Sequence, residues 1–234
     1  MFSPILDILP PPQLQLWPEL EKVPSGFVLY GGTAIALRLG HRDSVDFDFF
    51  SDVSLDDAGK NAILSMFNVG GVLQNAPDTL TFSAIVDGQP VKLSFFGGLR
   101  NGCVSAPEMT DDGMVCVASL DDLLAHKLKA IHDRAEGKDY QDIAVMLMDG
   151  QSLARGLAAK ETLFGASVPS MITLKALTYF DDVSEPERVT ADMKKEIVKA
   201  IRGLPASWDD VPLLSRTLSH NCTRGSSSTL GGGP

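Results

Sequence analysis

Two aspartates one residue apart, Asp46 and Asp48, sit in the otherwise apolar run Val45-Asp46-Phe47-Asp48-Phe49-Phe50. Alternation of this kind is a strand pattern: successive side chains of an extended backbone point to opposite faces, so the two carboxylates share one side and Val45, Phe47 and Phe49 the other. Like charges on one strand face repel, and a divalent cation is the simplest compensation. Mg2+, or Mn2+ in its place, takes hard oxygen ligands, commonly one or two carboxylates with phosphate oxygens and waters completing the shell. A phosphate holder lies close upstream. Phe27 to Tyr30 is an apolar run that stops at Gly31-Gly32, and Thr33 follows. Paired glycines after a strand let the backbone approach a ligand. Thr33 as N-cap of a helix over Ala34 to Leu39, ended by Gly40, would present a hydroxyl and free N–H groups to an anion. Taken singly, the two motifs are more often a plain turn and a solvated strand face; together they describe a metal-assisted phosphate site.

A second group of charges lies downstream. Ser119 and Asp122 read as a capping box opening a helix from Leu120 to Arg134. Its apolar stripe is Leu120, Leu124, Leu128 and Ile131, with Lys127 and Arg134 on one line at the stripe's edge. On their own such residues are usually surface cations with buried stems. The next helix, Lys138 to Met148, buries Tyr140, Ile143, Ala144 and Leu147; Asp139 lies nearer the edge of that face than Asp142, which is expected to pair with Lys138. His126 and His132 have no partner at metal-ligand spacing and read as structural or exposed. His41 and Arg42 occupy the loop before the acidic strand, within reach of a nucleotide or acceptor.

Gly32-Thr33, a spacer of about a dozen residues and Asp46-x-Asp48 resemble the signature of the DNA polymerase β-like nucleotidyltransferase superfamily. The longer string GGTAIALRLGHRDSVDFDFF looks more specifically like the AbiEii/AbiGii toxin family. A second block is similar to that family as well: His126-Lys127-Leu128-Lys129-Ala130, then Arg134, then Lys138-Asp139-Tyr140-Gln141-Asp142. The resemblance covers residues 25–150. It implies an α/β (α+β) fold, with a nucleotidyltransferase-type mixed sheet flanked by helices and followed by a helical C-terminal region. It also implies a Mg2+-dependent enzyme that moves a nucleoside monophosphate from an NTP onto an acceptor hydroxyl. In that scheme Asp46 and Asp48 bind the metal, Gly31, Gly32, Thr33, Lys127 and Arg134 hold the nucleotide, Lys127 stabilises the triphosphate, and Asp139 assists as ligand or base. The implied role is the toxin of a toxin–antitoxin or phage-defence system, with an RNA acceptor, the tRNA 3′ end foremost, and a cognate antitoxin protein as partner.

One departure matters. Where the superfamily commonly places a third carboxylate, on the strand VKLSFF, this chain has Ser94. Either a residue such as Asp139 completes the site, or two carboxylates suffice, or activity is lost. The last case leaves a degenerate nucleotidyltransferase serving as a nucleotide- or protein-binding module; protein nucleotidylation is a further alternative. Asp-x-Asp also marks sugar-nucleotide glycosyltransferases, which the Gly-Gly-Thr turn fits poorly, and phosphatases with a following threonine, where this chain has Phe50.

The elements that must position these groups are legible in outline. Strands are expected at Val72–Asn75, Thr79–Val86, Val91–Phe96 and Met114–Val117, with a hairpin turn at Asp87-Gly88. Ser54 is expected to cap a helix from Leu55 to Phe67 that Gly70-Gly71 ends, and an N-terminal segment broken at Pro18 packs on the sheet. Further helices span Ser152–Phe164, Ser170–Phe180 and Ala191–Arg202. The expected division is a nucleotidyltransferase domain over 1–118, a helical domain over 119–220 and a disordered tail over 221–234. A net charge of −10 excludes nucleic-acid binding by the whole surface, so any RNA contact needs a local positive rim. The cations expected to form it are Arg38, His41, Arg42, Lys127, Lys129, Arg134 and Lys138. Three cysteines in no metal spacing point to a reduced, cytoplasmic setting. The N-terminus lacks a basic leader region, and no apolar run is long enough for a membrane span.

Overall fold

After a 3-10 turn at Leu6–Ile8 come α1 (Pro11–Leu16), whose first-turn prolines cost no helical hydrogen bond, and a 3-10 turn from Trp17 to Lys22 that restarts at Pro18. Leu16, Trp17 and Leu20 are buried in the core. The apolar run that follows is β1 (Val28–Tyr30), which passes straight into α2 (Gly31–Leu39). After a short loop comes the acidic strand β2 (Asp46–Phe50), then α3 (Asp57–Ser65), and a meander of β3 (Val69–Ala76), β4 (Thr79–Val86) and β5 (Gln89–Phe96). Two short strands follow, β6 (Glu108–Met109) and β7 (Cys116–Val117). Five helices are described after them: α4 (Leu120–Asp133), α5 (Gly137–Met148), α6 (Leu153–Phe164), α7 (Ser170–Thr178) and α8 (Ala191–Arg202). This is a computed structural model, and it describes residues 1–165 and 169–222.

All seven strands join one mixed sheet in the order β3-β4-β5-β2-β1-β7-β6. β2 lies near its centre, antiparallel to β1 and parallel to β5, so Asp46 stands beside Lys92 and Asp48 beside Ser94. A single apolar cluster runs from Leu29, Phe47 and Phe95 on the strands to Leu124, Leu128, Tyr140 and Ile143 on α4 and α5. The helices therefore fasten to the sheet through shared core, which holds their charged edges at a fixed height over β2. At the far edge, β3 leaves Val72 49% and Leu73 63% exposed. Among the described residues no helix is long and apolar enough to cross a membrane.

Several local expectations change. The helix after β2 starts later than expected, because Asp56 rather than Ser54 caps it, accepting from the Gly59 N–H at 2.8 Å. Gly70 and Gly71 belong to β3 instead of ending that helix. The β6 strand has no alternation long enough to be seen in sequence. Cys116 and Cys222 form a disulfide with Cα atoms 6.2 Å apart, which corrects the expectation of three free thiols; Cys103 alone is free, and it is buried. The chain returns from residue 211 to pair at Cys103↔Ser215, bringing together cysteines 106 residues apart that no spacing rule connects. Of the expected disordered tail, Asn221 and Cys222 are described, and 223–234 lie outside the described residues.

Candidate active site

Asp46 and Asp48 project from one face of β2, as the alternation requires, and both line a cleft. Asp48 is close to the start of α2: a Cβ built on Gly31, whose φ is +76°, would lie 2.9 Å from Asp48 Oδ2. Only glycine suits both that backbone conformation and that approach. Burial raises the Asp48 carboxyl, and the neighbouring Asp46 charge adds to the rise; a hydrogen bond from Ser94 and the Lys92 and Lys127 charges oppose it. Lys92 Nζ sits 3.1 Å from Asp46 Oδ2 at the surface. Ser94 is buried beside Asp48 in the position where a third carboxylate was sought, and it helps to hold that carboxyl down.

Thr33 differs from its expected role. Tyr30 is the N-cap, and α2 begins at Gly31, so Thr33 falls within its first turn. Its buried hydroxyl bonds Ser44 Oγ at 2.6 Å and donates to the Asp46 carbonyl. It ties the helix to the acidic strand, while the first-turn N–H groups of α2 lie at the positive end of the helix dipole.

On the other wall, α4 and α5 bring Lys127 and Arg134 against Asp139 and Asp142, both 0% exposed. Lys127 Nζ lies 2.6 Å from Asp139 Oδ1 and 2.7 Å from Asp142 Oδ2. Arg134 Nε donates to Asp139 Oδ2 at 2.9 Å. Arg42 grips both oxygens of Asp142, at 2.8 and 3.1 Å, and His41 Nε2 lies 2.7 Å from Oδ1. Burial would raise the Asp142 carboxyl, but the His41 bond, the Lys127 charge and the Arg42 bond and charge outweigh it and hold the group well below the usual carboxylate range. Asp142 therefore does not pair with Lys138, which instead meets Glu136 at 3.0 Å. Lys127 is no surface cation either. With both oxygens of Asp139 engaged by Lys127 and Arg134, that residue stands behind the cleft wall as a holder of cations, not on the wall beside Asp46 and Asp48.

Two adjoining cavities, of 560 and 800 Å³, share Gly31, Asp46, Asp48, Lys127, Arg134 and Lys138. The smaller adds Phe50, Phe96, Leu73 and Leu123, with Gln74 and Thr81 as neutral polar groups. The larger adds the polar side: Gly32, Thr33, Arg42, Ser44, Glu185 and Arg188. His126 lies between Tyr30, Phe50 and Phe164, and burial pushes its imidazole down to about 3, so it is a neutral packing residue. Arg38 and Lys129 do not join the expected rim. Arg38 bonds the Val117 and Ala118 carbonyls and Glu108 and lies over the Phe2 ring; Lys129 pairs with Asp133. Lys92, on the strand position beside Asp46, and Arg188 are the cations that take their place, and nothing in local sequence pattern distinguished Arg188.

The donor set fits a hard divalent cation. The Asp46 charge adds to the rise of the Asp48 carboxyl, and among the described residues no group of three or more His, Cys, Asp or Glu side chains is arranged to hold a metal. A cation held by Asp46 and Asp48 would take its remaining ligands from phosphate and water, which suits Mg2+ chemistry.

Comparison with known proteins bears on this arrangement. The family model described as nucleotidyl transferase AbiEii toxin, type IV TA system, matches residues 19–212. An uncharacterized protein, aq_aa25, of Aquifex aeolicus (strain VF5) is 32% identical over 177 residues, 71% of this chain and 82% of that protein. The fold is similar to that of MenT4, nucleotidyltransferase toxin Rv2826c of Mycobacterium tuberculosis H37Rv, with a TM-score of 0.60, 16% identity and 82% of each chain covered. The sheet with its acidic central strand and the family match over most of the length lead to one conclusion: the chain belongs to the AbiEii nucleotidyltransferase toxin family of type IV toxin–antitoxin systems.

Proposed function

We propose that the protein transfers a nucleoside monophosphate from an NTP to the 3′ hydroxyl of an RNA, with tRNA as the first acceptor to test. The observation that carries this reading is the convergence of Asp46, Asp48, the α2 N-terminus and Lys127 on one cleft. Asp46 and Asp48 would hold Mg2+, which neutralises phosphate charge when bound. The α2 N–H groups receive phosphate oxygens at the positive end of the helix dipole. Lys127 has three donors; two are fixed by Asp139 and Asp142, which leaves the third for the oxygens of the departing pyrophosphate without a rotamer search. Ser94 stands beside Asp48 on the neighbouring strand, and we read the site as a two-carboxylate one. The apolar half of the cleft suits the nucleobase. Residues 1–118 supply the carboxylates, the helix N-terminus, Arg42 and Lys92, and residues 119–220 supply Lys127, Arg134, Lys138 and Arg188.

An RNA-modifying toxin of this kind works where NTPs and tRNA are found, so we assign it to the cytoplasm, opposed by a cognate antitoxin and acting in growth control or phage defence. The Cys116–Cys222 disulfide is the feature least expected in that compartment. The decisive experiment is incubation with each labelled NTP, total RNA and Mg2+, resolved on a gel. A labelled tRNA-sized band that Asp48→Ala abolishes and chelation of the metal removes is the expected result. Label on protein alone redirects the reading to protein nucleotidylation, and label that survives Asp48→Ala discards the site.

A further inference from the structure

We propose that Arg188, on the loop after α7 and outside both motif blocks, contacts the distal phosphates of the bound NTP, and that Glu185 is the counter-ion it leaves when the nucleotide enters. The inference rests on the nucleotidyltransferase reading of the Asp46/Asp48 cleft and adds a binding residue to it. Arg188 Nε lies 3.0 Å from Glu185 Oε2, with the two side chains 42% and 49% exposed, and both residues line the larger cavity.

The position is built. Ser184 bridges to Glu136; the Gly137 N–H donates to the Ser184 carbonyl at 2.8 Å, and the Ser184 N–H to the Ala135 carbonyl at 2.8 Å. The contact at the start of α5 is so close that a Cβ on Gly137 would lie 2.5 Å from the Glu185 carbonyl oxygen. Glu185 itself has φ +51°, a left-handed conformation uncommon for a residue with a side chain, and the 3-10 turn Pro186–Arg188 follows it. A loop docked this firmly presents Arg188 to the cavity at a defined place.

Charge distinguishes Arg188 from Arg42 and Lys127, while Lys138, paired with Glu136 at 3.0 Å, lines both cavities rather than the larger one alone. Arg42 and Lys127 are matched by fully buried carboxylates that a nucleotide cannot displace. The partner of Arg188 is instead a half-exposed carboxylate within the cavity, and exposed pairs three residues apart are weak. Exchanging it for phosphate gives a planar, bidentate, charge-assisted contact. The geometry also says which phosphates. The reacting phosphorus belongs at Asp46 and Asp48, shared by both cavities, whereas Arg188 lines only the larger one, beside the α2 N-terminus and away from the apolar half. That side receives the leaving pyrophosphate.

The test is calorimetric titration of the full chain, in Mg2+, with the α,β-methylene analogues of the four NTPs and with the four NMPs. Arg188→Ala should weaken the NTP analogue about tenfold and leave NMP binding unchanged, and Arg188→Lys should recover part of the loss. Glu185→Gln should tighten the NTP analogue severalfold. Unchanged NTP affinity in Arg188→Ala, or equal loss of NTP and NMP binding as a merely structural role would give, overturns the assignment; weaker NTP binding in Glu185→Gln overturns the counter-ion exchange. A wild-type chain that binds none of the four analogues sinks the nucleotidyltransferase reading itself, a result distinct from a failure at Arg188 alone.

Discussion

Lys127 shows how a residue that sequence reads two ways is decided by its neighbours. On a helical wheel it sits at the edge of an apolar stripe, where a solvated cation and a cleft residue look alike; the deciding contacts are Asp139 and Asp142 on the next helix. Removing the ammonium leaves two buried carboxylates short of compensation, so Lys127→Met should cost about 3–5 kcal/mol in urea unfolding as well as the transfer activity. A full-stability variant would show that the network holds no such charge. The pH dependence follows from Asp142. Its folded carboxyl titrates well below the unfolded value of about 3.9, so its contribution is complete above the unfolded value and is lost as pH falls through the folded one. The wild type should therefore steepen its loss of stability below about pH 4, and Asp142→Asn should show a shallower acid limb. Asp142 was invisible as the hub of the network because His41 and Arg42 lie about a hundred positions away, and helical spacing offered only Lys138.

At the scale of elements, the positions best read in sequence were those with strong local chemistry. Thr79–Val86 and Ala191–Arg202 form between the expected ends, since the first has a turn signal beside it and the second has Thr190 as its cap. The acidic strand was legible for the same reason: alternation fixes which face the carboxylates take. What failed was the junction at Thr33, because threonine is a good N-cap in isolation, yet the chain here turns into helix without a loop. That junction depends on Gly31. In Gly31→Ala the added methyl meets Asp48 Oδ2, and the positive φ itself costs about 1–2 kcal/mol. Displacing that carboxylate by even an ångström should lower the rate of labelled-NTP transfer about a hundredfold, with circular dichroism unchanged. A wild-type rate in this variant would show that the close approach is unimportant.

Over the whole molecule, local pattern does not reveal that sheet and helices share one apolar cluster. Long-range pairing is what local pattern omits. The same limit applies to Arg188, whose loop reaches the cleft by backbone contacts to Ala135, Glu136 and Gly137.

The open edge of the sheet has a consequence for the protein as a colloid. Among the described residues no strand pairs with the outer side of β3 over its eight residues, Val69 to Ala76, and although two register irregularities bend it, the strand has no Lys, Arg, Asp, Glu or Pro to deter another edge. Its protection is remote: a net charge of −10 keeps copies apart. Such repulsion reaches about 10 Å at 0.1 M salt and about 3 Å at 1 M. Concentrated protein should therefore scatter light as a monomer in dilute buffer and associate as salt is raised, the reverse of what an assembly held by ion pairs would do. A lysine on the bare edge, Val72→Lys, should move the onset to higher salt; a wild-type chain still monomeric at 1 M would mean that the bends alone are guard enough.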